Sequence, residues 1–537
     1  MHNKEGMMNK ILIKNGLVID GSGVDGCHCD ILIDNDRIVR IKKDIEPTDA
    51  MHLIDATGLI VAPGFIDTHS HSDLQVLLDH RVLPKVMQGI TTEVLGQDGV
   101  SLAPLPRSYK DTWRKNLAGL DGDSDQIDWN FETTENYLAM IDAAKPAINE
   151  CYLVPHGNVR MEAMGLDNRI ATDTEIKRMQ AIVQREMEAG AFGLSTGLIY
   201  IPCAFGSTKE IIEMCKIVAS YDGVFVIHQR SEADDILSSM EEVIEIGKKS
   251  GVHIHYSHFK VCGKKNWSKI DQMIVLLEKA EEEGIQVTFD QYPYVAGSTM
   301  LGVILPPWVH DGGTDQLLSR LAEKKCREQI MLDMEKGIPG WDNFIDFAGP
   351  LQIFITNVKT EKNQKFVGCN LVQLGEKTGK SWLDATCDLL IEEENAVGMV
   401  DFYGRDEHVA SFMKRKEMNV CTDGIYGKQP HPRLYCTYPR VIAKFVRDDG
   451  VLSLPSAIKK MTKKAATAMG IKNRGEIKEG NYADFCVFNY QKINDKSDFV
   501  SPCQYANGIE YVIVNGQIVV QHGTFLDTFP GSVLRRF

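Results

Sequence analysis

The chain has 537 residues, of which 43% are hydrophobic and 25% charged, with a net charge of −15. That length exceeds one ordinary compact domain but suits a large barrel with satellite pieces. The acidic balance argues against nucleic acid or anionic lipid as a main partner, and no run of eighteen apolar residues is present to span a bilayer. The polar start Met1–Gly6 lacks the apolar core of a signal peptide, and the thirteen cysteines include no paired CxxC spacing, so a reducing cytoplasmic setting is expected. The Cys27-x-Cys29 pair in its turn-rich stretch is given no role.

In chain order, the first sixty residues read as short strands at 11–18, 29–33, 38–41, 53–55 and 59–62, separated by Gly and Asp turns. The same rhythm returns at 475–477, 483–488 and 511–520. Neither end has enough strand to stand alone, so 1–62 and 474–537 are expected to pair in one small β-sandwich. Between them the period changes. From Asp173 the positions Ile176, Met179, Ile182, Val183 and Met187 mark an amphipathic helix that stops at Ala189-Gly190. Strand 224–227 then leads into His228, a helix covers 236–248, strand 252–257 leads into His258, and a helix over 270–282 precedes strand 285–290. Short apolar runs alternating with helices mean a parallel sheet, and several in series favour closure. Residues 63–473 are therefore expected to form an α/β (β/α)8 TIM-type barrel. A Gly/Pro-containing stretch at about 297–350, with helical residues near 317–336, breaks the repeat and reads as an insertion after a mid-barrel strand that covers the site.

Chemistry concentrates in Ala62-Pro63-Gly64-Phe65-Ile66-Asp67-Thr68-His69-Ser70-His71-Ser72-Asp73. Period-two geometry turns His69 and His71 the same way at a strand end, as two ligands of one metal require. Alone, such a pair is often incidental. His228 and His258, however, each end a strand at the mouth where barrel enzymes assemble their sites, and Asn419-Val420-Cys421-Thr422-Asp423-Gly424 ends another in an acidic residue. Four imidazoles and a carboxylate converging on one mouth point to a metal centre. His156 is read as structural, whereas Ser195 and Thr196, at a Gly-rich strand end, are candidates to touch an acyl group, the alternative being that the glycines there only allow close packing. No Gly-x-Ser-x-Gly elbow supports a serine nucleophile.

At these residues the chain resembles the D-aminoacylase (N-acyl-D-amino-acid deacylase) family of the metal-dependent amidohydrolase superfamily. The likeness continues through Gly190-Ala191-Phe192-Gly193-Leu194-Ser195-Thr196-Gly197, Ile227-His228-Gln229-Arg230-Ser231-Glu232, Ser257-His258-Phe259-Lys260 and Asp290-Gln291-Tyr292-Pro293-Tyr294. It includes Gly297-Ser298-Thr299, Thr422-Asp423-Gly424, His431-Pro432-Arg433 and the ending Pro530-Gly531-Ser532-Val533-Leu534-Arg535-Arg536, and so spans nearly the whole chain. One departure falls on a ligand position. Where the family typically has Gly-Asn-Cys-Gly, this chain reads Gly96-Gln97-Asp98-Gly99. A carboxylate also bridges two metals, but as a harder ligand than thiolate it brings manganese or another hard divalent ion into play beside zinc. The alternative for Asp98 is a turn cap.

The resemblance implies that Asp98, His228 and His258 hold one divalent metal, while His69, His71 and Asp423 approach a second position. It implies hydrolysis of N-acyl-D-amino acids to a carboxylate and a free D-amino acid, with Asp423 as general base. Lys260, Tyr292 and Arg433 match positions that grip the substrate carboxylate, with Ser298 as a further substrate-binding residue. The expected partner is a small N-acylated amino acid or dipeptide, and homo-oligomerisation is compatible with the sequence. The rival readings are a cyclic-amide hydrolase of the hydantoinase or dihydroorotase kind, a dipeptidase, and a scaffold without catalysis. All four histidines and Asp423 argue against the scaffold, which needs none of them.

Overall fold

The computed structural model describes residues 10–49 and 51–537, so the Met1–Gly6 stretch lies outside the described residues. The strand-forming runs at the two chain ends build two sheets. One orders Arg37–Lys42, Asp30–Asp34, Lys10–Lys14 and Met51–Asp55 side by side. The other runs from Thr524–Phe525 through Gln517–Gln521, Ile509–Val514, Phe485–Phe488, Ile60–Pro63 and Leu17–Val18 to Cys27–His28. Antiparallel pairing of Phe485–Phe488 with Ile60–Pro63 stitches the two ends together. Ile11, Ile13, Ile31, Ile33 and Ile54 share an apolar cluster with Phe485, Val487 and Ile513. At about 1.5–3 kcal/mol per buried aliphatic side chain, each end depends on the other for its core.

The central segment builds parallel strands. Phe65–Asp67, Ile90–Leu95 and Asn149–Tyr152 form one set. Val154–Pro155, Gly193–Gly197, Val224–His228, His253–Tyr256, Val287–Gln291 and Met418–Val420 form the next, in that order. The sets join across Leu153, and a parallel bridge between Ser70 and Gly424 joins the last strand to the first. The Asp423 N–H donates to the His69 carbonyl at 2.8 Å at this seam. Helices Asp173–Glu188, Thr208–Ser220, Ile236–Ser250 and Ile270–Glu282 alternate with the strands. The first begins with a reciprocal cap between Thr172 and Glu175, which satisfies two otherwise orphaned amides. The strands are buried along nearly their whole length, as parallel strands covered by helices must be.

The insertion differs from the expected 297–350 in extent and position. It follows Val287–Gln291, which pairs directly with Met418–Val420 and is therefore the penultimate strand of the ring rather than a mid-barrel one. It also runs on to Phe402, because Ala296–Met300 and Ile353–Val358 both pair antiparallel with Val397–Phe402. Helices Thr314–Ala322, Lys324–Lys336, Leu371–Thr378 and Trp382–Glu392 lie between these strands in the chain. The returning strand Val-Gly-Met-Val-Asp-Phe is as apolar as a barrel strand, and only its distant partners distinguish it.

Candidate active site

The Gly96–Gly99 turn brings Asp98 to the strand mouths. Gly96 stands at φ +78° where an added Cβ would lie 2.2 Å from the Leu153 carbonyl oxygen, so only glycine fits. Asp73 accepts from the Gly96 N–H at 2.9 Å and from the Ser101 hydroxyl at 2.5 Å, anchoring both sides of the turn. The Ser195 hydroxyl donates to the Gly96 carbonyl at 2.5 Å and accepts from the Gly99 N–H at 3.1 Å. Ser195 thus braces the turn from below, and its expected contact with an acyl group is corrected: both sides of its hydroxyl are committed to backbone. Thr196 is likewise committed, to His156 Nδ1 at 2.8 Å, and His156 Nε2 meets Glu210 at 2.9 Å.

Asp98, His258 and Asp423 all hold left-handed backbone, at φ +56°, +34° and +49°. Non-glycine residues adopt that region at a cost, and it concentrates at functional sites where the surroundings enforce it. For His258 the enforcing group is Asp290, which accepts from the His258 N–H at 2.5 Å and is itself held by Thr68 and His255.

The six expected ligands converge. His69 Nε2 lies 3.6 Å from Asp98 Oδ2 and 3.6 Å from Asp423 Oδ1. His71 Nε2 lies 3.6 Å and 3.5 Å from the same two oxygens. His258 Nε2 is 3.8 Å from Asp98 Oδ1 and 2.9 Å from His228 Nδ1. Three overlapping donor groups result: His69, His71 and Asp98; Asp98, His228 and His258; and His69, His258 and Asp423. All are buried, and His69 Nε2, His71 Nε2 and Asp98 Oδ1 have no hydrogen-bond partner among the described residues. Buried polar atoms left unpaired cost about 1–3 kcal/mol each, and a cation among them removes that cost. The electrostatics agree. Burial opposes charge on His71, yet Asp121, Asp423 and Asp98 raise it well above the ordinary imidazole value. Burial and Lys260 oppose charge on His258, yet Glu232 and Asp98 raise it to about 9. Burial pushes His228 down to about 4, the neutral form a ligand needs. Burial works to raise Asp98 and Asp423, but their cationic neighbours hold both carboxyls below the usual range. This cluster recruits positive charge, and its mixed imidazole and carboxylate set fits a divalent transition metal.

A cavity opens onto Asp98, His228, His258 and Asp423. Lys260, Tyr292, Arg433 and Ser298 line it too, while His69 and His71 are not part of the lining. Arg433 Nη1 meets Asp423 Oδ2 at 2.8 Å, and its other terminal nitrogen donates to the Ser298 carbonyl at 2.9 Å. The Ser298 hydroxyl donates to the Met399 carbonyl at 2.8 Å. Lys260 Nζ meets Glu232 at 2.6 Å, and the Tyr292 and Tyr403 hydroxyls are 2.6 Å apart. The insertion supplies much of the remaining wall, including Asp342, Phe344, Phe347 and Asp401.

Several residues here were not singled out from sequence. Glu232 meets His258 Nδ1 at 3.1 Å and orients the imidazole; its place four residues after His228 was the available signal. Asp121 stands 3.4 Å from His71 Nδ1. Beneath the histidines, the wholly buried Lys85 donates to Asp67 at 2.7 Å and lies 3.3 Å from Glu93, which accepts from the hydroxyls of Ser70 and Ser72 beside His69 and His71. Nothing local marks these partners, because they come from separate loops and strands.

A model of the amidohydrolase family matches residues 52–288 and 412–520. The chain belongs to the amidohydrolase family. The unmatched interval between the two stretches contains the whole insertion. This amidohydrolase is 32% identical over 527 residues to a D-aminoacylase of Alcaligenes xylosoxydans xylosoxydans, covering 98% of this chain and 97% of the relative. A solved D-aminoacylase with a binuclear metal center superposes with a TM-score of 0.82 at 32% identity, covering 98% of this chain and 99% of that one. N-acyl-D-glutamate deacylase from Bordetella bronchiseptica, solved with zinc and a phosphonate inhibitor, gives 0.83 at 29% identity over the same shares. Hydantoinase structures at 13 and 14% identity share the fold alone. The fold is mixed α/β, of the TIM-barrel type. Among the described residues, no helix is long and apolar enough to cross a membrane.

Proposed function

We propose that this amidohydrolase cleaves the amide bond of N-acyl-D-amino acids, releasing a carboxylate and a free D-amino acid. One observation carries the reading: a single cavity exposes four of the six buried donors at one end and the carboxylate-gripping set Lys260, Tyr292 and Arg433 beside them. That is the arrangement an N-acyl amino acid needs, with its amide and its α-carboxylate a few bonds apart. The D series and the linear amide rest on similarity to the deacylases.

The reading assigns Asp98, His228 and His258 to one divalent cation, with His69, His71 and Asp423 toward a second. Asp98 belongs to two of the three donor groups, which supports it as the shared ligand. Zinc is the first choice for one or two ions, with manganese favoured more than in a thiolate site. When bound, such a cation supplies Lewis acidity toward the carbonyl and makes nearby water more acidic. Asp423 takes the proton of the attacking water as its oxygen bonds to the carbonyl carbon, and delivers it to the nitrogen as the carbon–nitrogen bond breaks. Arg433 keeps that carboxylate ionised between turnovers. Lys260, Tyr292 and Arg433 orient the α-carboxylate, and the insertion excludes bulk water.

The same reading treats 10–62 with 474–537 as a β-sandwich and 63–473 as an eight-stranded (β/α) barrel. Thirteen free thiols support a reducing, cytoplasmic setting. The test is release of free amino acid from paired N-acetyl-D and N-acetyl-L amino acids, using protein stripped of metal and reloaded with zinc or manganese. Metal-dependent release from the D series is expected; metal uptake with silence on both series refutes the assignment.

A further inference from the structure

The cavity carboxylates do not balance. Asp423 is held by Arg433 at 2.8 Å and Glu232 by Lys260 at 2.6 Å. Asp342 accepts from the Ser231 hydroxyl at 2.5 Å and the Glu232 N–H at 2.6 Å. Asp98 faces the imidazoles. Asp401 remains. It lies on the insertion strand Val397–Phe402, is 3% exposed and lines the cavity, yet no other residue among those described donates a hydrogen bond to its carboxylate. A carboxylate buried with no hydrogen bond from another residue is costly: burial raises the Asp401 carboxyl to about 7 against the pull of Lys260 and Arg433, so a cationic group that arrives with the substrate is the natural occupant.

We propose that Asp401 is the specificity-determining residue of this cavity and that it receives an alkylammonium group of the substrate. The inference rests on the deacylase reading. Both cavity cations are ion-paired with carboxylates and, on the deacylase reading, take the substrate α-carboxylate, so a second substrate carboxylate would add unbalanced negative charge beside Asp401. An ammonium gains an ion pair in a desolvated site. Position favours the side chain of the departing amino acid as its source. A Cβ on Gly297 would lie 3.0 Å from Asp401 Oδ1 and 3.7 Å from the Tyr292 hydroxyl, so Asp401 shares a wall with the residue assigned to the α-carboxylate. Tyr403, Phe347 and Cys262 cluster beside it and offer an apolar wall for a methylene stem. A basic D-amino acid with an N-acyl group matches both features. The free amine of a dipeptide is the other source of the same chemistry.

The experiment compares kcat/KM of the metal-loaded enzyme for N-acetyl-D-lysine, its uncharged analogue N-acetyl-D-norleucine, and N-acetyl-D-glutamate, with L-alanyl-D-alanine against N-acetyl-D-alanine as a second arm. Wild type is expected to favour the lysine over the norleucine derivative by about tenfold or more, with glutamate poorest. Asp401→Asn should collapse that ratio toward one, and Asp401→Glu should retain it. An ammonium preference seen only in the dipeptide arm, and lost in Asp401→Asn, overturns the side-chain source while upholding Asp401 as the receptor. Norleucine equal to or better than lysine in wild type, with no dipeptide preference, overturns the proposal alone, whatever the folding of the variants. A lysine preference that survives Asp401→Asn does the same. Silence on every substrate overturns the deacylase reading and the proposal with it.

Discussion

Arg433 and Asp423 form a buried ion pair, Nη1 to Oδ2 at 2.8 Å, with the Arg433 guanidinium 4.5 Å above the centre of the Tyr292 ring. On the deacylase reading the guanidinium has two tasks, to bind substrate carboxylate and to keep the proposed general base ionised. Asp423→Asn should lower kcat by about a thousandfold or more while metal stays bound. Arg433→Ala should raise KM and lower kcat together, since it strands a buried carboxylate. A purely KM-based defect in Arg433→Ala would show that the pair does not tune Asp423. Steady-state kinetics with metal analysis on both variants decides it.

Asp98 is the proposed ligand position at which this chain departs from the cysteine that the family resemblance implies. Loading stripped protein with equimolar zinc and manganese should give a wild type that takes up appreciable manganese. Asp98→Cys should shift the ratio toward zinc, because thiolate is the softer donor. Asp98→Ala should reduce the number of ions bound. Elemental analysis after desalting reads all three, and an unchanged metal ratio in Asp98→Cys would remove Asp98 from the metal shell.

Lys85 is buried between Asp67 and Glu93, at 2.7 and 3.3 Å. Lys85→Met removes the charge but leaves two buried carboxylates behind, so the variant should lose about 3–5 kcal/mol in urea denaturation. Ser70 and Ser72 both donate to Glu93, so metal affinity should fall as well. A variant of normal stability would mean that these carboxylates are protonated already.

His156 governs a pH effect away from the ligands. Burial disfavours its charged form, but Cys203 and Glu210 outweigh burial and raise it to about 9. An unfolded histidine titrates near about 6.5. Folding therefore binds a proton more tightly. The stabilisation is complete below about 6.5 and is lost as pH rises through about 9. Denaturation midpoints should fall between pH 6.5 and 9 in wild type, and His156→Gln should be less stable with a flatter profile. Equal slopes in the two proteins would exclude His156 as the source.

Local pattern carried much of this molecule in its sequence. The turn of His69 and His71 toward one side of the strand follows from a two-residue period, and the helix over Asp173–Glu188 follows from five apolar positions. Both depend on neighbours within a few residues, where covalent geometry dominates. The family motifs named Asp98, Lys260 and Arg433 because each is embedded in recognisable flanking sequence. Tertiary structure alone decided that Arg433 holds Asp423, that Asp121 stands behind His71, and that Asp401 lines the cavity with no hydrogen bond from another described residue. It also decided that the insertion runs to Phe402, since Val397–Phe402 pairs with Ala296–Met300 about a hundred residues away. These contacts join residues far apart in the chain, and their geometry exists only once closure of the ring has desolvated the charges and left each one to be paired or exposed.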